Sequence, residues 1–184
     1  MYKKYFKRPC TPAATVILMR DDLEDDCFEV LLLKRSSRLD FHGGHWVFPG
    51  GRIDQKDYQQ ASDHHNIIEA ARYAAVRETF EESGLAIIAQ DLVLMSQWTT
   101  PRGFPKRFKT WFFLCHAPSG KVTIDNQEIK AYQWQTPKKA ITANSHGHIH
   151  LPVPTLYTLQ CLTEFSSIKK ALTHYSANQP MAYE

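Results

Sequence analysis

The segment from Asn66 to Gly84 constrains this chain more than any other, because it reads as one helix with both ends marked and three carboxylates on it. Asn66 offers an N-cap oxygen, and Glu69 three residues later completes a capping box. The helix runs to about Ser83, and Gly84 supplies its C-terminal stop. Glu78 and Glu82 lie one turn apart on a shared face, with Glu81 beside them at the three-residue spacing. Like charges this close weaken a helix by about 0.2–0.5 kcal/mol per pair. Either water solvates that face, or a divalent cation turns the repulsion into a binding site; magnesium, a hard cation, prefers such oxygen ligands. Ile68, Ala71, Ala75 and Phe80 form an apolar face able to dock on a core. Arg77 stands beside the carboxylates and can orient one of them by paired hydrogen bonds.

Around this helix, strands and helices alternate. Ala13 to Arg20 and Phe28 to Arg35 read as two strands of a hairpin across the acidic stretch Asp21 to Asp26. Phe41 to Arg52 reads as a loop with a short strand at Trp46 to Phe48. A polar surface insertion precedes the helix (about 52–66, most polar over Gln55 to Asn66). Leu92 to Thr99, Arg107 to His116 and Ala131 to Gln135 read as further strands. Helices follow Pro137 and Pro154, a last one is capped by Ser166 and runs through Leu172, and the tail after His174 is expected to be loose. The 184 residues fit one domain with its core over about 13–174. The interleaving implies an α+β fold, a mixed sheet covered by helices.

A net charge of +3 with neutral histidines lacks the concentrated basic face of a nucleic-acid binder but admits a small anionic substrate. No apolar run approaches a membrane span, and no apolar signal core follows the basic start Met1 to Arg8, so the cytoplasm is the expected compartment. Cys10, Cys27, Cys115 and Cys161 are widely spaced and read as reduced thiols, several of them buried. A homodimer is compatible with this composition. His146, His148 and His150 alternate, and on an extended segment would share a face; a hydrogen-bonding loop is favoured over a zinc site because a fourth ligand is missing. His42 and His45 flank Gly43-Gly44 and either line a pocket or brace their loop, while His64 and His65 are expected to face water.

Arg77-Glu78-Thr79-Phe80-Glu81-Glu82-Ser83-Gly84-Leu85 resembles the Nudix box: Gly, five residues, Glu, seven residues, then Arg-Glu-apolar-x-Glu-Glu-x-Gly-apolar. Glu69 lies seven residues before Arg77, but seventeen residues separate it from Gly51 where the pattern has five. The excess is a twelve-residue insertion, cheap in closure entropy. The resemblance implies a Nudix-type α/β/α sandwich whose helix edge holds one to three Mg2+ or Mn2+ ions. It implies Glu78, Glu81, Glu82 and the backbone near Gly51 as the metal site, with Glu69, Arg77 and Gly84 as structural members of the box.

The run Leu31 to Leu39, continued through Phe41 to Gly51, is similar to a second signature of the coenzyme A diphosphatase branch, with Leu33 and Asp40 as departures. Trp98 to Pro101, Arg107 to Leu114, Tyr132 to Trp134 and Leu151 to Pro154 resemble the mammalian organellar members of that branch, with Lys109 as a further departure. The implied reaction is hydrolysis of coenzyme A or an acyl-CoA to 3′,5′-ADP and (acyl-)4′-phosphopantetheine. Its catalytic carboxylates come from Glu81, Glu82 and Glu128, the last as general base, as an extra metal ligand or as an ordinary loop carboxylate. Arg35, Arg38, Arg52, Lys106 and Arg107 are candidate phosphate-binding cations, and Trp46, Phe41, Trp98 and Phe104 candidate aromatic walls. Two alternatives stand: a Nudix hydrolase of ADP-ribose, dinucleotides or nucleoside triphosphates, and a non-catalytic nucleotide-sensing Nudix domain.

Overall fold

A computed structural model describes residues 9–22, 27–38 and 42–184. Asp40, Phe41, Met1 to Arg8 and the centre of the acidic loop lie outside the described residues. The elements run β1 (Thr11–Asp22), β2 (Cys27–Arg35), β3 (Trp46–Val47), β4 (Gly50–Arg52), α1 (Gln55–Gln60), α2 (Ile67–Ser83), β5 (Val93–Thr99), β6 (Phe108–His116), β7 (Ile129–Gln135), α3 (Pro137–Ser145), α4 (Val153–Leu162), α5 (Ile168–Ala177) and β8 (Met181–Tyr183).

Val16, Ile17, Leu18 and Met19 are all fully buried, so β1 is covered on both faces, as its unbroken apolar run requires. It pairs antiparallel with β2 at the hairpin end and parallel with β6 from Thr11 to Met19. Strands β5 and β7 add antiparallel to β6 and β2, which completes a mixed sheet. Beyond Met19–Val30 the segment 46–52 serves both strands of the hairpin. Strand β3 pairs with β2, β4 pairs with β1, and Thr15 Oγ1 donates to the Pro49 carbonyl at 2.7 Å. Alternation then sorts the core. Leu31, Leu33 and Phe113 face α2, whereas Val30, Leu32 and Phe112 join the core that includes residues of α3, α4 and α5. The architecture is therefore an α/β/α sandwich.

Several local readings change. Gly50–Arg52 is a strand rather than loop, because it finds a partner in Ala13–Thr15. The polar segment after it contains α1, whose Asp57 is wholly buried. Asn66 caps α2 by accepting from the Glu69 N–H, but the Glu69 side chain accepts from Ser62 instead of closing a capping box. The docking face of α2 is Ala70, Ala71, Ala74 and Ala75; Ile68 and Phe80 remain 39% and 58% exposed. Small side chains let the helix approach the sheet where Ile and Phe would hold it off. Ser167, not Ser166, caps α5, which continues to Ala177. The tail is also ordered: β8 runs parallel to β5, and Tyr183 stacks on Trp98 at 4.4 Å between ring centroids.

Candidate active site

The C-terminal half of α2 presents its polar face to the β4 backbone. Gly84, with φ of 70°, ends the helix there, and its N–H donates to the Phe80 carbonyl. Glu82 is 5% exposed and accepts a hydrogen bond from the Gly50 N–H at 2.9 Å. Burial, with help from the charge on Glu78, pushes its carboxyl up to about 8, against the pull of the Gly50 N–H and Arg35. Glu78 lies against Gly51 so closely that a Cβ there would sit 2.4 Å from its Oε1, so a side chain at 51 would displace this carboxylate from its present place. Burial also raises the Glu78 carboxyl, while Arg77 lowers it.

Arg35, at the end of β2, bridges Glu82 at 3.7 Å and Glu128 at 3.9 Å. Its Nε is buried without a hydrogen-bond partner. Glu128, 59% exposed on its side chain, is brought here because Asp125 accepts from the N–H groups of Glu128 and Ile129 and so folds the turn before β7. The Glu128 carbonyl in turn accepts from the Ser36 N–H. Glu81 shares the Arg77 Nη1 with Glu78, at 3.1 Å, and lies 3.7 Å from Lys56.

Arg77 does not pair two-fold with a carboxylate of its own helix. Its Nε and Nη2 grip both oxygens of Asp57 at 3.1 and 2.9 Å, and Nη1 reaches Glu78 at 2.7 Å. Burial opposes the guanidinium charge, but Asp57 and Glu78 outweigh it and hold Arg77 above the usual arginine range. Asp57 follows Gly51 after five residues, the spacing the motif assigns to its first acid. The extra residues therefore fall after Asp57, and Glu69 meets the seven-residue spacing to Arg77 while its side chain holds Ser62 and the Asp63 backbone. The Gly51–Asp57 spacing was the signal that could have shown this.

The remaining expected residues scatter. Arg38 and Arg52 are exposed, and Arg52 contributes its carbonyl to Arg77. Trp46 packs on the core of the opposite layer, with Lys34 over its ring. Arg107 donates to the Thr100 carbonyl and lies 3.6 Å from Glu184, turned toward the tail. Lys106 and Phe104 are exposed, whereas Trp98 lies under Tyr183. His146 caps α3, and with Ile149 buried between them His148 and His150 face outward. His64 and His65 are exposed. All four cysteines are free thiols, with Cys115 buried and the others half-buried.

Residues 10–153 match the NUDIX domain family. The chain belongs to the Nudix family. Among its relatives are putative nudix hydrolase 7 of Caenorhabditis elegans, 28% identical over 73% of this chain and 56% of its own length, and the acyl-coenzyme A diphosphatase NUDT19 of Xenopus laevis, 25% identical over 78% and 62%. The chain thus spans little more than half the length of these curated relatives. A Nudix hydrolase from Alicyclobacillus acidocaldarius has the same fold, with a TM-score of 0.82 over 94% of this chain and all of its own at 23% identity. The Nudix domain of Shewanella oneidensis NrtR, complexed with ADP ribose, superposes with a TM-score of 0.63 over 85% and 88% at 14% identity.

Nudix hydrolases use divalent cations, and the donors present here fit one. No three acidic, histidine or cysteine side chains converge on one point among the described residues. Glu78 and Glu82 nonetheless supply hard oxygen donors one helical turn apart, both lying against the Gly50–Gly51 backbone. Burial destabilises the Glu82 carboxylate more than the Gly50 N–H and Arg35 at 3.7 Å stabilise it, and a cation would add to that compensation. Glu81 could join only by leaving Arg77 and Lys56.

Proposed function

We propose that this Nudix protein hydrolyses the diphosphate linkage of a nucleoside diphosphate derivative, with coenzyme A or an acyl-CoA as substrate and Mg2+ or Mn2+ as cofactor. One observation carries the reading: the chain of charges Glu78, Glu82, Arg35 and Glu128, assembled from α2, β2 and the turn before β7. A bound cation would neutralise the diphosphate and favour ionisation of a water. Glu78 and Glu82 would hold it, each fixed by protein contacts: Arg77 orients Glu78, and the Gly50 N–H orients Glu82.

Arg35 would steady the phosphoryl oxygens as their charge grows. The water oxygen bonds to one phosphorus, the bridging P–O bond breaks, and the departing phosphate keeps the electron pair. Glu128, accessible and steered by Arg35, accepts the proton of the water. The products from coenzyme A would be 3′,5′-ADP and 4′-phosphopantetheine. The similarity to NUDT19 supports this substrate over ADP-ribose or dinucleotides, and the presence of Glu78, Glu81 and Glu82 supports an enzyme over a sensor.

The test is incubation of the purified protein and Mg2+ with coenzyme A, an acyl-CoA, ADP-ribose and dinucleotides, followed by product identification. Release of 3′,5′-ADP as the fastest reaction is expected. Faster release of AMP from ADP-ribose would contradict the substrate, and no hydrolysis of any compound would contradict the enzyme.

A further inference from the structure

Helix α1 follows β4 across Ile53 and Asp54, and it brings two neighbouring side chains of opposite charge to the acidic face of α2. Asp57 is wholly buried, and Arg77 donates to both of its oxygens. Asp57 also accepts from the Asp54 N–H at 2.8 Å, and its own N–H donates to the Asp54 carbonyl at 3.0 Å. These bonds fix the turn on which Lys56 stands. From there the Lys56 ammonium lies 3.7 Å from Oε1 of Glu81, while Arg77 Nη1 lies 3.1 Å from Oε2. Each oxygen of Glu81 thus faces a cationic group of its own.

The two contacts differ in how firmly they hold. Arg77 is largely buried and tied to Asp57, so its place does not depend on Glu81. Its Nη1 also lies 2.7 Å from Glu78, so a cationic nitrogen already stands between the two carboxylates. The Lys56 and Glu81 side chains are both about half exposed, at 54% and 51%. Water screens such a pair, and exposed pairs are weak. A divalent cation, with twice the charge of the ammonium, can draw Glu81 away from it. Lys56 opposes that cation in two ways. It holds Oε1, and its own positive charge repels the incoming ion.

We infer that Lys56 is a positioning residue that sets how readily Glu81 joins the cation site. The inference rests on the proposed metal-dependent reading and deepens it. Glu78 and Glu82, oriented by Arg77 and the Gly50 N–H, take the first ion. Glu81 supplies a second, weaker place beside Glu78, which opens when Lys56 gives way. The segment after β4 therefore adjusts the metal requirement through Lys56, in addition to bracing Arg77 through Asp57.

The experiment is a Mn2+ titration of the purified protein without substrate, with free Mn2+ counted by electron paramagnetic resonance. The parent should bind a tighter ion that Glu82→Gln removes and a weaker ion that Glu81→Gln removes. Lys56→Ala should tighten the weaker ion about two- to fivefold, the worth of an exposed ion pair, and change the tighter one less. Lys56→Arg, which keeps the charge, should restore the parent value. Lys169→Ala, an exposed lysine on α5, should leave both ions as in the parent. A weaker ion that Lys56→Ala does not tighten, or that Lys169→Ala tightens equally, would overturn the role of Lys56 alone. So would a parent that binds a single ion. A parent that binds no Mn2+ would overturn the metal-dependent reading and the inference with it.

Discussion

Between Ala70 and Ala75, helix α2 meets the sheet through the methyl groups of four fully buried alanines. Between Arg77 and Ser83 the same helix turns inward an arginine, two carboxylates, a threonine and a serine. The first half is apolar contact, favourable in proportion to the area removed from water. The second half holds charges where solvent is scarce, and each survives through a specific partner: Asp57 for Arg77, the Gly50 N–H for Glu82. Stability and chemistry are thus divided along one helix, and substitutions should separate them.

The largest effect is expected from Glu82→Gln. Turnover of coenzyme A should fall a hundredfold or more, on the order of losing a required carboxylate. The melting temperature should hold or rise, because a buried charge with its nearest cation at 3.7 Å is removed. A kinetic assay beside a thermal melt reads both; a large drop in melting temperature would break the division.

Asp57→Ala comes next. It leaves Arg77 charged and without its two-fold partner, at a cost of about 3 kcal/mol in a denaturant titration. Ala74→Leu should cost about 1–3 kcal/mol by overpacking the helix–sheet contact, while kcat per folded molecule stays close to the parent. The smallest effect is expected from Glu69→Ala, which loses exposed contacts with Ser62 and the Asp63 backbone. Both melting temperature and turnover should remain near the parent, and a loss as large as that of Asp57→Ala would return Glu69 to the box position.

How far the sequence showed this depended on how local each feature is. The bounds of α2 were legible because Asn66 and Gly84 act within one turn of the helix. The β1–β2 hairpin was legible because its apolar runs are long and adjacent. Strands β4 and β8, three residues each, exist only through partners far along the chain, so no local pattern announces them. The docking face of α2 was misjudged because hydrophobicity singles out Ile68 and Phe80, whereas close approach to a sheet selects alanine. Asp57 was hidden by the residues inserted after it, and Glu69 satisfied one of the two motif spacings in its place. Of the site, Glu78, Glu82, Arg35 and Glu128 are brought together as charge and motif led one to expect, whereas Trp46 and Arg107 are drawn into contacts elsewhere in the fold.

The most direct test is a crystal of the protein soaked in manganese, examined by anomalous scattering. The account predicts a Mn2+ peak within coordination distance of both Glu78 and Glu82, beside the Gly51 backbone, which disappears in Glu82→Gln. A crystal that takes up manganese only elsewhere, with those two carboxylates still bound as before to Arg77 and Gly50, would contradict it.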